Sequence, residues 1–332
     1  MFERLKRKSL MIAACTMGLT APAMAQESCS YPEKPVSVVV GYSAGGGTDI
    51  VARLLTSMLP EFANGQSFNV INKPGGAQVP AMRTTLNARK DGYTLQFFSA
   101  GSLVLAGMLQ DLDLNFYDTF QPAGMVSAVA SAIAVNNESP VTNATELVDW
   151  IRESAEKGEK LRWGHSGRGA FPHVGGLAWL MANDLDDLVQ DVPFEGSAKS
   201  RAALIGGQID FAVVATSNVE EFKDQIRGIG QIHEERDQVV SWLPSLAEQG
   251  TKVISVESPL LLAAPKGVPD EVIACLETAI GKVAETEAFR TAMNKAGFGV
   301  TFRNSADTMT MMESRRDTWQ PIADEIKAGL GN

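Results

Sequence analysis

Gly41-Tyr42-Ser43-Ala44-Gly45 spells G-x-S-x-G, the strand–turn–helix pattern that presents the nucleophile of a serine hydrolase. The apolar run Val36–Val40 precedes it, and Ile50–Leu59 follows with apolar residues at helical spacing. The loop continues through Gly45-Gly46-Gly47-Thr48-Asp49, where amides with no Cβ in the way can cradle an anion at a helix start. Two chemistries share one loop: a Ser43 nucleophile, or a grip on a negatively charged guest.

Context weighs against the nucleophile. Hydrolases with this elbow place several strands before it, and one of their loops donates an oxyanion-hole N–H. Here only a short stretch separates the first strand from a leader peptide. The base would be His165, His173 or His233. The first two share a glycine-rich loop, and His233 lies in the polar run 231–238, which reads as solvated surface. A P-loop needs lysine where Gly47 stands, and a dinucleotide fingerprint needs a small residue at Ile50. The three histidines show no zinc-ligand spacing.

The grip has a physical basis. The first amides of a helix have no internal acceptor, and the helix end adds about half a positive charge. Asp49 in the first turn either caps its own helix, or ties the loop down or accepts a donor from the ligand. A second loop of the same kind, Trp163-Gly164-His165-Ser166-Gly167-Arg168-Gly169-Ala170, precedes another helical pattern near Phe171-Pro172. Arg168 is the one cation in either loop, and its guanidinium suits a carboxylate. His165 and His173 read as loop-ordering groups.

The positioning elements alternate. Apolar runs Val36–Tyr42, Phe68–Asn72 and Thr94–Ser99 read as strands of consecutive βαβ units, with a helix over Asp49–Leu59. A second series follows: strand Ala132–Val135, a helix from a capping box at Asn143-x-x-Glu146 to Lys157, and strand Leu161–Gly164. It continues with helix Val174–Asn183, strand Val189–Phe194, helix Ala198–Ile205 and strand Phe211–Ala215. After Val253 comes an extended crossing segment, then helices over Asp270–Thr286, Glu287–Ala296 and Asp307–Ala328. The fold class is therefore α/β, with two lobes and no floppy linker, a common setting for a ligand cleft.

Residues 1–25 have a basic start, an apolar run and Ala23-Met24-Ala25 before Gln26, the form of a secretory signal peptide. The Ile12-Ala13-Ala14-Cys15 stretch only loosely resembles a lipidation box. The chain is expected to be exported to the periplasm, with cleavage after Ala25. Its net charge of −10 argues against nucleic acid and anionic membranes as partners. Cys29 and Cys275 are the two cysteines beyond the leader; the compartment permits a bridge, and the sequence leaves their pairing open.

Several blocks carry a resemblance: "YPEKPVSVVVGYSAGGGTDIVARLL", "VINKPGGAQ", "KDGYTLQF", "RWGHSGRGAFPH", "VPFEGSAKSRAALIGGQIDFAVV", "LPSLAEQG" and "LLLAAPKGVPDEV". In this order they resemble the Bug-type extracytoplasmic solute receptors of tripartite tricarboxylate transporters, across essentially the whole mature chain. The resemblance implies a periplasmic binding protein-like fold. Lobe 1 would be 26–127 plus 256–332, and lobe 2 would be 128–255, joined by two crossing strands around the cleft. It implies no enzyme activity, no cofactor and no metal. The receptor would capture a small organic carboxylate (a di- or tricarboxylate, an aromatic acid or an amino acid). It would then deliver it to integral-membrane permease subunits, acting as a monomer. The opposing reading is a secreted serine hydrolase using Ser43; a receptor-like sensor docking to a signalling partner is a third.

By motif position, the resemblance places ligand contacts at Tyr42, Ser43, Ala44, Gly46, Gly47, Thr48 and Asp49 of the first loop. It places others at Ser99 and Ala100, at Ser166, Gly167, Arg168, Gly169 and Ala170, and at Phe194 and Glu195. Two departures stand out. Ala170 replaces a common serine, and Phe194-Glu195 replaces a common Tyr-Lys pair. Arg168 is expected to supply the lost attraction, and Glu195 either repels a second acidic group or pairs with Arg168.

Overall fold

The valine run forms strand β1 (Val36–Val40), which is almost wholly buried and so shows no polar alternation. In the computed structural model the described residues are 29–42, 44–75, 78–109, 115–194, 197–237 and 239–330. Strands β2 (Phe68–Asn72) and β3 (Thr94–Ser99) flank β1 in parallel. All three lie where the apolar runs predict them, except that β1 ends two residues early. A Cβ on Gly41 would stand 2.6 Å from the Gln78 side chain, so the chain turns there against a close neighbour.

Strand β4 (Phe120–Asn136) joins the two halves of the molecule. Its first part pairs antiparallel with β9 (Glu257–Pro265), which in turn pairs with β3. From Ser131 onward it pairs with β7 (Phe211–Ala215) on one edge and β8 (Ile226–Gln231) on the other. Strand β5 (Leu161–His165) lies parallel to β7 and to β6 (Val189–Pro193). The chain returns to the first sheet through residues 251–256, an extended segment outside the ladders. Only Ala132–Val135 of β4 is legible in the sequence. Its first part carries Pro122, Gly124 and small residues, and its register slips twice against β9; such bulges bend a strand and erase alternation.

Helix α1 (Gly47–Phe62) follows β1, α2 (Val79–Leu86) follows β2, and α3 (Ala100–Leu109) and the short α4 (Phe116–Thr119) follow β3. In the second half stand α5 (Ala144–Glu156), α6 (Phe171–Ala182), α7 (Ser197–Ile205) and α8 (Thr216–Glu221). The C-terminal part supplies α9 (Asp270–Glu285), α10 (Glu287–Lys295) and α11 (Ser305–Leu330). The α5 cap forms as predicted: the Asn143 side chain accepts the Glu146 amide, and Glu146 reaches back to the Thr142 amide. Ser99 ends β3, and α3 begins at once at Ala100. A Cβ on Gly101 would lie 2.6 Å from the Glu257 carbonyl oxygen, so this helix packs directly on β9.

Val38, Leu55, Phe97, Ile280 and Phe289 pack the first core. Leu147, Ile151, Trp163, Trp179 and Phe211 pack the second. A third cluster bridges them, setting Leu103 of α3 and Met312 and Trp319 of α11 with Phe171 and Val174 of α6. Trp319 Nε1 also donates to the Ser255 carbonyl at 3.1 Å, holding α11 against the returning segment. Cys29 is bonded to Cys275, with their Cα atoms 5.6 Å apart, so the N-terminal segment is fastened to α9.

Candidate functional site

Both glycine loops open into one cleft of about 820 Å³. Each follows the C-terminal end of a parallel strand and precedes a helix, the usual ligand position in such sheets. Gly45 takes φ +81°, a left-handed turn that a side chain would resist, at the edge of the opening. Gly46, Gly47 and Thr48 line the cleft at the start of α1. Across it stand Ser166, Arg168, Gly169 and Ala170 at the start of α6. Strands β4 and β9 form the floor with Val129, Ser258 and Leu260.

Of the residues the sequence proposes, Tyr42 and Ser99 also line the cleft. Burial pushes the Tyr42 phenol upward, against hydrogen bonds from Ser102 and Ser99 that lower it, so it remains a protonated donor. Ser99 Oγ lies 2.5 Å from Ser258 Oγ, linking the end of β3 to β9. Ala44 and Gly167 do not line the opening, Phe194 packs against the α7 side of its sheet, and Ala100 is buried inside α3. Ser43 and Glu195 lie outside the described residues.

Asp49 is turned away from the cleft. Its Oδ2 accepts the Gly45 amide and Arg53 Nε, each at 2.9 Å, and its Oδ1 accepts Asn72 Nδ2 at 2.7 Å. Asn72 Nδ2 also donates to the Tyr42 carbonyl at 2.9 Å. Burial alone would raise this carboxyl; the Arg53, Gly45 and Asn72 donors outweigh it and hold the group below the usual range. Of the three readings of Asp49, loop tie is the one the geometry has.

The second loop is organised by imidazoles. Gly167 donates its amide to His165 Nδ1 at 3.2 Å, and Gly169 donates to His173 Nδ1 at 3.1 Å. Each ring therefore carries its proton on Nε2 and is neutral. His165 Nε2 lies 2.5 Å from Asp191 Oδ1, and Arg168 Nη2 lies 2.8 Å from Asp191 Oδ2. Burial, with His165 adjoining, pushes His173 down to about 3. Burial would raise Asp191, but the His165 bond and the nearby positive charge hold it low. The donor atoms of His165, His173 and Asp191 lie within 4.8 Å of one another. Protonated Nε2 atoms and a guanidinium on the carboxylate do not suit a metal ion. The group orders a loop.

The sequence gives no hint of Asp191 as the partner of Arg168, because it lies on the neighbouring strand rather than in the loop. Arg201 of α7 is a second overlooked cleft residue, with its guanidinium 3.5 Å above the Phe222 ring. Its clue is a cation in the first turns of a helix that follows a strand end. Ser217 and Asn218 of α8 and Phe298 also line the cleft. Two arginines and no carboxylate line it among the described residues, within a chain of net charge −10.

A profile described as "Tripartite tricarboxylate transporter family receptor" matches residues 51–328. The chain belongs to this family. It is 26% identical over 325 residues to a UPF0065 protein of Bordetella pertussis, covering 97% of this chain and 98% of that one. It is similar to the periplasmic binding protein BugD at TM-score 0.72 and 25% identity, covering 89% and 98% of the two chains. An R. palustris protein solved with adipate has TM-score 0.75 and 22% identity, with 89% and 98% covered. The receptor is thus a periplasmic binding protein-like α/β protein working with a tripartite transporter, and the hydrolase reading of Ser43 finds no support.

A second cavity, of about 370 Å³, lies behind the floor. Side chains alternate along a strand; Val129, Ser258 and Leu260 face the cleft, while Ala128, Ala130 and Glu257 face this rear cavity. Glu257 meets His233 Nε2 at 3.3 Å and Arg315 Nη2 at 3.1 Å. His233, expected on solvated surface, is mostly buried here.

Proposed function

We propose that this receptor captures a small organic carboxylate in the cleft and passes it to the integral-membrane permease subunits of its transporter. The carrying observation is the lining: the glycine turn at the start of α1, hydroxyls of Tyr42, Thr48, Ser99 and Ser166, and two arginines, Arg168 already paired with Asp191 and Arg201, with no carboxylate in the lining among the described residues. Ligand contacts are assigned to Tyr42, Gly46, Gly47 and Thr48 on one side and to Ser166, Arg168, Gly169 and Ala170 on the other. The adipate held by the R. palustris protein is of this chemical class.

Lobe 1 (26–127 plus 256–332) and lobe 2 (128–255) close on the guest by bending at β4 and the 251–256 segment. The protein works as a monomer in the periplasm after cleavage behind Ala25. A micromolar receptor needs about −8 kcal/mol, within reach of several charge-assisted and amide hydrogen bonds plus burial.

A thermal-shift screen over mono-, di- and tricarboxylates, aromatic acids and amino acids tests this. A bound acid raises Tm without turnover. A fluorophosphonate probe that labels Ser43, with no stabilising acid, overturns it.

A further inference from the structure

The charges around the cleft do not add up to a site for several carboxylates. In the second loop, Arg168 is already matched by Asp191 at 2.8 Å. The two imidazoles beside them are neutral, because each Nδ1 accepts a loop amide. In the first loop, Asp49 is matched by Arg53 and does not face the opening. Both loops are therefore electrically closed within themselves.

Arg201 differs. Among the described residues no carboxylate pairs with it, and its contact is the face of Phe222 at 3.5 Å. A guanidinium stacked by its face keeps its N–H groups around the edge, in the plane that suits a carboxylate fork. Among the described residues the cleft thus carries one uncompensated positive charge, on the lobe 2 side. The rest of the lining is neutral: hydroxyls such as Thr48, Ser102 and Ser217, and apolar surface from Leu109, Leu260 and Phe298.

From this we infer that the receptor selects acids with a single carboxylate and a neutral body, and that Arg201 is the residue that reads the carboxylate. A second carboxylate would meet hydroxyls, peptide dipoles and an Arg168 whose charge Asp191 already offsets, inside an acidic protein whose overall field opposes it. This inference rests on the receptor reading above and narrows its substrate class.

The test uses matched pairs: succinate, adipate and terephthalate, each against its monomethyl ester, titrated into the full mature chain by calorimetry. At least one half-ester binds tenfold or more tightly than its diacid. Arg201→Ala weakens that half-ester tenfold or more, and Arg201→Lys restores part of the loss. The melting temperature of each unliganded variant reports whether it is folded. A diacid that binds more tightly than its half-ester in every bound pair overturns the single-charge inference and leaves the carboxylate receptor standing. So does Arg201→Ala binding that half-ester as the parent does, which removes Arg201 as the reader. If no carboxylate of the wider screen binds, both readings fall.

Discussion

Asp49 Oδ2 accepts the amide proton of Gly45 from four residues downstream, at 2.9 Å. The helix whose first residues line the cleft therefore also fixes the turn that precedes it. Arg53 and Asn72 complete the clamp, and Asn72 extends it to the Tyr42 carbonyl. One carboxylate thus ties together the first loop, α1 and the end of β2.

Replacing Asp49 with Ala should cost about 1–3 kcal/mol of stability, since it removes a buried carboxylate that accepts three part-buried hydrogen bonds, from Gly45, Arg53 and Asn72. Arg53 is half exposed and is rescued by water, which keeps the loss from being larger. Ligand affinity should fall several-fold as well, because the amides of Gly46–Thr48 would no longer be held in place before binding. Denaturant melts and calorimetry on the same variant measure both. The native carboxyl is held low, so its contribution is present above the ordinary carboxylate pKa of 3.8 and lost as pH falls through the lower folded value.

Asp191→Asn gives a second test, of charge rather than shape. The amide keeps an oxygen for His165 Nε2 but no longer neutralises Arg168. The cleft would then carry two uncompensated cations. Affinity for a diacid such as adipate should rise about tenfold, equivalent to about 1.4 kcal/mol, while its half-ester gains less. Titration of both ligands into the variant reads the difference directly.

The sequence reveals elements more readily than partners. Valine-rich β1 and the helical spacing of α1 are local patterns, and both form, β1 two residues shorter and α1 longer at each end than predicted. The first part of β4 is illegible because its small residues and bulges answer to β9, more than a hundred residues away. The same holds at the site. Both glycine loops can be read from local chemistry, yet Arg168 finds Asp191 across a β5–β6 pairing, and Arg201 arrives from a helix with no glycine signature. Asp49 is the instructive case: its position in the first turn suggests a cap, and only the fold of β2 brings Asn72 alongside to make it a tie.

Reducing the Cys29–Cys275 bond should destabilise the receptor by about 2–5 kcal/mol, as removal of a native disulfide commonly does. It fastens the N-terminal segment to α9 on the far side of the first core, so ligand affinity of the folded protein should change little. Melting with and without reductant, paired with titration of the reduced protein while it remains folded, separates the two effects.

The rear cavity should make stability depend on pH near neutrality. His233 faces Glu257 of β9, its Nδ1 lies 3.1 Å from both the amide and the carbonyl of Glu235, and Arg315 approaches from α11; Glu234, Arg236, Asp237 and Arg303 line the same space. The Glu257 bond raises His233 above its usual 6.5, against burial and the Arg315 charge. Glu257 is held below its usual value: burial would raise it, but His233 and Arg315 outweigh that. A raised histidine stabilises the fold fully below pH 6.5 and loses that contribution as pH climbs through the folded value. Melts across about pH 5.5–8.5 should therefore show a decline that Glu257→Gln removes, at an overall cost of about 1–3 kcal/mol. A parallel pH profile in parent and variant would show that His233 and Glu257 do not form a charged pair.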